Sequence, residues 1–400
     1  MLTGGGDTHY AIPLTVALSQ RGVDVEVVGS DEFVESQEFR EAGVRFINAH
    51  GDVRPGKPLY KKVLRVLRGY VAIAAYAATA DTEIFHILWH NKFKLFDRIV
   101  LTGYYRILGK RLIFTAHNVD IDERDGKSSF ASRVSLRLMY RMMDHIFVHT
   151  HKMKMQLEHG FQVPADKITV IPFGMNTVPP DTRLTRDEAR RRLNIGSDDN
   201  IVLFFGNIAA YKGVEYLIDA LNVLKTQGTD VKVIVAGDVK GRAARPYWQS
   251  ITRRIEELEL VPLVRTEIRR IADDEIEVFF KAADVCVLPY VYISQTGVLF
   301  LSYRYGIPAV VTDAGSMKED VVEGRTGFVC RSSDAVDLAR ALSACLRSHL
   351  LADRERTRQD IVNFAEARYS WESITATIAR VYDAVGQNRE HPETGSIAEV

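Results

Sequence analysis

Cysteine is scarce: Cys286, Cys330 and Cys345 are the three in 400 residues, and none shares a metal-ligand spacing with another. That excludes a disulfide framework and a thiolate metal centre, and it fits a reducing cytoplasm. The three thiols read as small buried hydrophobes. An excess of one charge is missing too. Lysine plus arginine and aspartate plus glutamate number 52 each, so no global field argues for nucleic acid. No apolar run has spanning length, and residues 71–80, the most apolar stretch, are too short and too alanine-rich to cross a bilayer. No signal peptide is present either.

What is present is an alternation of short apolar strands and amphipathic helices, repeated in two halves. Such alternation specifies an α/β architecture of two doubly wound, Rossmann-like domains. The first half predicts strands over 23–28, 44–48, 84–88, 112–115, 145–149 and 167–171, with helices over 10–20, 33–43, 132–143 and 152–159. Residues 177–200 form the linker candidate, with Pro179-Pro180 and a charged helix over 186–193. The alternation restarts with strands over 202–205, 231–236, 285–288 and 308–311 and a weak one within 261–268. The expected divisions are a domain over 1–178, a domain over 179–367, a last helix over 368–385 and a flexible tail over 386–400.

A glycine loop, Gly4-Gly5-Gly6, opens the chain, followed by His9 and a helix. Such a loop normally follows a strand, because strand, loop and helix N-terminus together bind phosphate. Only three residues precede it, so the first strand is expected upstream and the first sheet is expected to lack its central member. Arg54, Lys57, Lys61, Lys62, Arg65 and Arg68 follow without an intervening acid and interleave with Leu59, Val63, Leu64, Val66 and Leu67. This basic amphipathic pattern is either a solvated helix face or a surface for anionic lipid headgroups. His90-Asn91 and His117-Asn118 each stand just past a strand, where α/β enzymes hold working residues. His86 alternates with apolar neighbours and reads as a sheet residue.

In the second half three strand-end loops recur. Phe205-Gly206-Asn207 leads to Lys212-Gly213, Gly237 ends a second strand, and Ser294-Gln295-Thr296-Gly297-Val298 opens a buried helix. Gly206 lets backbone approach a ligand, and Lys212 offers a point charge; alone, Lys212 reads equally as a surface lysine. Helix N-termini at strand ends attract anions, so three such loops suit one nucleotide diphosphate.

In order along the chain, the glycine loop, TAHN, IPFGMN, FFGNIAAYKGVEYLIDAL, VIVAGD, ADVCVLPY, GIPAVVTDAGSMKEDVVEGRTGFV and YSWESITATIARVYDAV resemble family 4 of the retaining glycosyltransferases. The resemblance implies the GT-B architecture: two Rossmann-like domains facing a cleft, with the last helix crossing back to the N-terminal domain. It implies a hexosyltransferase using a UDP- or GDP-sugar, with no metal or other cofactor. It implies a glycan or lipid-linked hydroxyl as acceptor, in surface polysaccharide synthesis, and a cytoplasmic setting; the basic pattern over 54–68 adds the expectation of a peripheral place on the inner membrane face. By position, Lys212 and His117 are the catalytic candidates. Gly5, Gly6, Gly206, Asn207, Gly237, Thr296, Gly297, Val298 and Glu319 fall on the donor side, and His9, His90 and Asn118 on the acceptor side.

Two departures stand out. The family's usual Glu-x7-Glu falls on Ser294 and Ser302 in one register and on Ile293 and Leu301 in the other. Neither register holds a carboxylate, which resembles a subset with a serine-rich loop there. Asn207 replaces the usual arginine. These losses motivate an alternative of another class, a non-catalytic nucleotide-sugar or glycan-binding relative. A GT-B enzyme of another reaction, such as an epimerase or phosphorylase, has no supporting pyridoxal-lysine motif.

Overall fold

Short runs of valine, isoleucine and phenylalanine, bounded by polar turns, become parallel strands. The computed structural model describes residues 1–4, 7–53, 58–119, 129–177, 179–239, 244–293 and 295–387. The chain forms two units, Met1–Gly174 with Trp371–Val400, and Met175–Ser370.

The first unit holds β1 (Glu26–Gly29), β2 (Arg45–Asn48), β3 (Ile84–Ile87), β4 (Arg111–Ala116), β5 (His145–Val148) and β6 (Ile168–Val170). β1 pairs with β2, and β3 to β6 pair in sequence, all parallel. Leu2 bridges both groups, parallel to Val28 on one side and Ile87 on the other. Its N–H donates to His86 O at 2.8 Å, and Val28 N–H donates to Met1 O at 2.9 Å. This corrects the expectation that the sheet lacks its central member: residues 1–3 occupy that place, because a few ladder bonds on each side suffice to close it. His86 is buried, its ring nitrogens 2.6 Å from the Tyr382 hydroxyl and 2.7 Å from the Thr115 hydroxyl.

The helix Thr8–Gln20 starts at Asp7, whose carboxylate accepts from His9 N–H. The closing helix Trp371–Gln387 belongs to this same unit: Trp371, Ile374 and Ile378 share a core with Tyr10, Leu14 and Leu18. Arg21 donates to Glu372 O at 2.7 Å across that contact. The tail expected from 386 lies, beyond 387, outside the described residues.

Two local expectations change. The single helix over 33–43 is two, Glu32–Glu35 and Gln37–Glu41, because the Ser36 side chain caps the second by accepting from Phe39 N–H. An unforeseen helical stretch runs from Lys94 to Ile107, with a π-helical segment at Asp97–Leu101. The basic helix spans Leu59–Thr79; Arg54 and Lys57 lie outside the described residues. It turns Leu59, Tyr60, Val63, Leu64, Leu67 and Val71 to solvent, with Leu59 78% exposed. Among the described residues, no helix is long and apolar enough to cross a membrane.

The second unit is a six-stranded parallel sheet of β7 (Ile201–Phe205), β8 (Lys232–Gly237), β9 (Val264–Ile268), β10 (Val285–Leu288), β11 (Ala309–Thr312) and β12 (Gly327–Cys330). The order is β12-β11-β10-β7-β8-β9. β7, β10 and β11 are buried at every position, as strands covered on both faces must be. The two central strands, β7 and β10, therefore deliver their C-terminal loops side by side.

Candidate active site

Gly206 follows β7 directly and Gly237 ends β8. A β-carbon on Gly237 would stand 1.9 Å from the Gly206 carbonyl oxygen, so glycine is what permits these strand ends to touch. A β-carbon on Gly206 would meet the Lys212 ammonium at 3.0 Å and Val298 at 3.7 Å. The loop from Gly206 to Lys212 is held down by Val291 N–H, which donates to Tyr211 O at 2.8 Å.

Lys212 is 7% exposed, which disposes of the surface-lysine reading. Its Nζ donates to the Tyr290 hydroxyl at 3.2 Å and lies 4.9 Å from that ring's centre. Among the described residues no carboxylate pairs with it, and burial holds its pKa below the ordinary lysine value. Buried charges are usually paired, so an ammonium without a carboxylate partner at a glycine-lined strand end is unusual.

Thr296 caps the helix Gly297–Arg304, its hydroxyl accepting from Val298 N–H at 3.3 Å. Gly206, Lys212 and Val298 are thus brought together, and Gly237 backs Gly206. Asn207 is exposed at the same strand end. Glu319 is exposed on Met317–Asp320, and among the described residues no hydrogen bond or ion pair ties its carboxylate to this group. In either Glu-x7-Glu register the second position is core: Ser302 is fully buried and donates to Ile307 O at 2.6 Å, and Leu301 is 4% exposed. A carboxylate does reach the loop, from the next helix. Asp320 accepts from Gln295 Nε2 at 2.7 Å and from the Tyr369 hydroxyl at 2.9 Å, and burial raises its pKa.

In the first unit, His117 lies just past β4 in a nest of rings. It stacks on Trp89 at 4.3 Å and meets Tyr10 edge-on at 4.6 Å. Its Nδ1 is 3.0 Å from His149 Nε2, and His149 Nδ1 faces Ile171 O at 3.3 Å. A carbonyl only accepts, so His149 carries its proton on Nδ1, and burial lowers its pKa to about 4. Neutral His149 then accepts at Nε2, which makes His117 donate from Nδ1. His117 Nε2 is left as a bare acceptor, buried without a partner. Burial also pushes the His117 pKa well below the usual value, so the ring offers a lone pair, not a proton.

His90 stacks on Phe114 at 5.3 Å with Nε2 buried and unpartnered, and Asn118 Oδ1 is likewise unpartnered. His9 sits in the first turn of its helix, next to Tyr10. Gly5 and Gly6 lie outside the described residues. Sequence reading missed His149, Trp89, Tyr10, Tyr290 and Asp320. One signal was available for His149: with His90 and His117 it is the third histidine placed just past consecutive strands.

Family profiles match both halves of the chain. Residues 4–178 match "Glycosyltransferase Family 4" and residues 199–348 match "Glycosyl transferases group 1". The D-inositol 3-phosphate glycosyltransferase of Corynebacterium glutamicum is 25% identical over 410 residues, spanning 98% of this chain and 94% of the relative. Among solved structures, sucrose-phosphate synthase of Thermosynechococcus elongatus superposes with a TM-score of 0.75 at 19% identity, covering 96% of this chain and 98% of that one. HepE of Anabaena, in complex with UDP-glucose, superposes with a TM-score of 0.71 at 18% identity, covering 96% and 99%. Two matched halves in the right order, on two parallel-sheet units with a returning last helix, lead to one assignment: the chain belongs to family 4 of the glycosyltransferases, transferases of the GT-B fold.

Proposed function

We propose that the chain moves a hexose from a UDP- or GDP-sugar to a hydroxyl of a glycan or lipid-linked acceptor, with retention at the anomeric carbon, in surface or extracellular polysaccharide synthesis. One observation carries this reading: Lys212 holds a buried ammonium without a carboxylate partner, beside Gly206 and the start of the helix Gly297–Arg304. Its support from outside is the fold shared with HepE, whose structure contains UDP-glucose.

The donor diphosphate rests on Lys212 and on the free N–H groups of that helix start. As the bond from C1 to the diphosphate breaks, negative charge grows on the leaving oxygen, and these fixed groups meet it without reorganising. The acceptor oxygen bonds to C1 from the same face and passes its proton to the leaving phosphate. No metal enters this scheme, since Lys212 and the helix supply the positive charge. His117 Nε2 accepts a hydrogen bond from a sugar hydroxyl and so positions it. The test is nucleotide release and product analysis with a panel of UDP- and GDP-hexoses and glycan acceptors. Anomeric retention with one donor supports the reading; inversion, or no transfer and no donor hydrolysis across the panel, overturns it.

The exposed leucines and basic residues of Leu59–Thr79 support a second part of the proposal, attachment to an anionic membrane face. Apolar side chains enter the headgroup boundary while lysine and arginine meet the lipid charge. Sedimentation with phosphatidylglycerol vesicles decides it. Lys61→Glu, Lys62→Glu and Arg68→Glu together should release the protein, and undiminished binding of that variant rejects attachment.

A further inference from the structure

Gln295 directly precedes Thr296, the cap of the helix Gly297–Arg304, and both ends of its carboxamide are bonded. Its Nε2 donates to Asp320 Oδ2 at 2.7 Å, and its Oε1 accepts from Thr296 N–H at 3.0 Å. Asp320 closes the short helix Met317–Asp320 that follows β11. Its other oxygen, Oδ1, accepts from the Tyr369 hydroxyl at 2.9 Å, and its carbonyl accepts from the Tyr303 hydroxyl at 2.9 Å. Tyr369 in turn meets Phe300 of the helix Gly297–Arg304 edge-on, with 4.7 Å between ring centres. All these residues belong to the second unit.

Asp320 is half-buried, and the donors on its two oxygens are neutral groups. An ionised carboxylate accepts hydrogen bonds and donates none. It therefore permits one orientation of the Gln295 amide, with nitrogen towards Asp320 and oxygen towards Thr296 N–H. Turned over, the amide would set oxygen against oxygen at Asp320 and N–H against N–H at Thr296. The carboxylate thus fixes which atom of Gln295 the backbone of Thr296 meets.

The chain of contacts continues past Thr296. The Thr296 hydroxyl accepts from Val298 N–H at 3.3 Å and bonds to the Tyr290 phenol. That phenol accepts from Lys212 Nζ at 3.2 Å. Thr296 is 8% exposed and Tyr290 fully buried, and hydrogen bonds in such surroundings strengthen one another. The segment concerned has need of support, because its described residues between β10 and the helix Gly297–Arg304 belong to no strand or helix. Groups that meet a developing charge act best when they are held in place beforehand.

We propose that Asp320 is a positioning residue for the diphosphate site: through Gln295 it fixes Thr296 and the helix start that stand with Tyr290 and Lys212. The assignment rests on the proposed donor site and names what holds that site in shape. Asp320 touches no substrate, since both of its oxygens are occupied. Its work is to orient an amide. Asparagine can do the same, accepting from Gln295 and donating to the Tyr369 oxygen, whereas alanine cannot.

Amide hydrogen exchange of the full chain, read by mass spectrometry over residues 295–298, tests this without nucleotide. Asp320→Ala and Gln295→Met should each speed exchange there about tenfold, as loss of a hydrogen bond to a charged group implies. Asp320→Asn should exchange like wild type. Wild-type exchange in the alanine variant, or exchange as fast in the asparagine variant as in the alanine one, overturns the proposal. Calorimetric titration with UDP and with GDP then reads the site. For the nucleotide that binds, Asp320→Ala and Gln295→Met should each weaken binding about tenfold. The double variant should match the weaker single one, because the second change cuts a chain already cut. Losses that multiply, wild-type affinity in either single variant, or a loss in Asp320→Asn as great as in Asp320→Ala overturns the role. The two readings stay apart. Exchange as expected with neither nucleotide bound defeats the donor site and leaves the Asp320 contact standing. Weaker binding in Lys212→Met with wild-type affinity in both loop variants defeats the role of Asp320 alone. Circular dichroism shows that each variant has folded; if Asp320→Ala does not fold, Gln295→Met carries the test, since it cuts the same chain with a side chain of similar size.

Discussion

The Lys212 ammonium donates to the Tyr290 hydroxyl at 3.2 Å, and no carboxylate among the described residues balances its charge. Such an arrangement costs stability in the ligand-free protein. Even buried ion pairs can be replaced by apolar residues of similar volume with a gain of about 1–4 kcal/mol, and a charge buried without a partner is costlier still. Lys212→Met should therefore raise the stability of the second unit, by about 1 kcal/mol. Urea unfolding without nucleotide checks this, and a variant less stable than wild type would show that Lys212 serves the fold.

The closeness of the β7 and β8 ends makes a second prediction. Gly237 has φ 152°, and its β-carbon position is 1.9 Å from the Gly206 oxygen. Gly237→Ala must push the two strand ends apart. Overpacking of this kind costs about 1–3 kcal/mol, and it moves Gly206 away from Lys212. Both a lower unfolding midpoint and weaker UDP binding are expected. An alanine variant with both unchanged would mean that these backbones are not in contact.

Histidine burial fixes a pH dependence. Burial lowers the pKa of His86 to about 3 and that of His149 to about 4. In the unfolded chain both titrate near 6.5. As pH falls below 6.5 the unfolded state takes up these protons first, so stability is full above that pH and declines below it. Each such histidine costs up to about 1.4 kcal/mol per pH unit until its folded pKa is reached. The urea midpoint of the first unit should thus drop clearly between pH 7.5 and 5.5. An unchanged midpoint would show that these rings are already charged in the folded protein.

How far the sequence reveals all this depends on the kind of signal. The strands of the second unit are legible because buried parallel strands are short, continuous valine and isoleucine runs, and the loops at their ends follow directly. Lys212 is legible as a position, but its burial is not: the Tyr290 ring that covers it comes from the far end of β10. Asp320 escapes for a related reason. The Glu-x7-Glu spacing covers one loop and helix, whereas Asp320 sits on the next helix and touches that loop only through Gln295. The Lys94–Ile107 stretch gives no amphipathic period, since Leu95, Phe96, Ile99, Val100 and Ile107 all face solvent. Leu2 is missed because three residues look too short for a strand until β1 and β3 are seen on either side.

The central claim is that the Lys212 ammonium awaits a nucleotide diphosphate. Calorimetric titration of UDP into wild type and into Lys212→Met tests it most directly. The expected result is saturable UDP binding by wild type, weakened at least tenfold in a variant whose circular dichroism is unchanged; UDP affinity equal in the two proteins would contradict it.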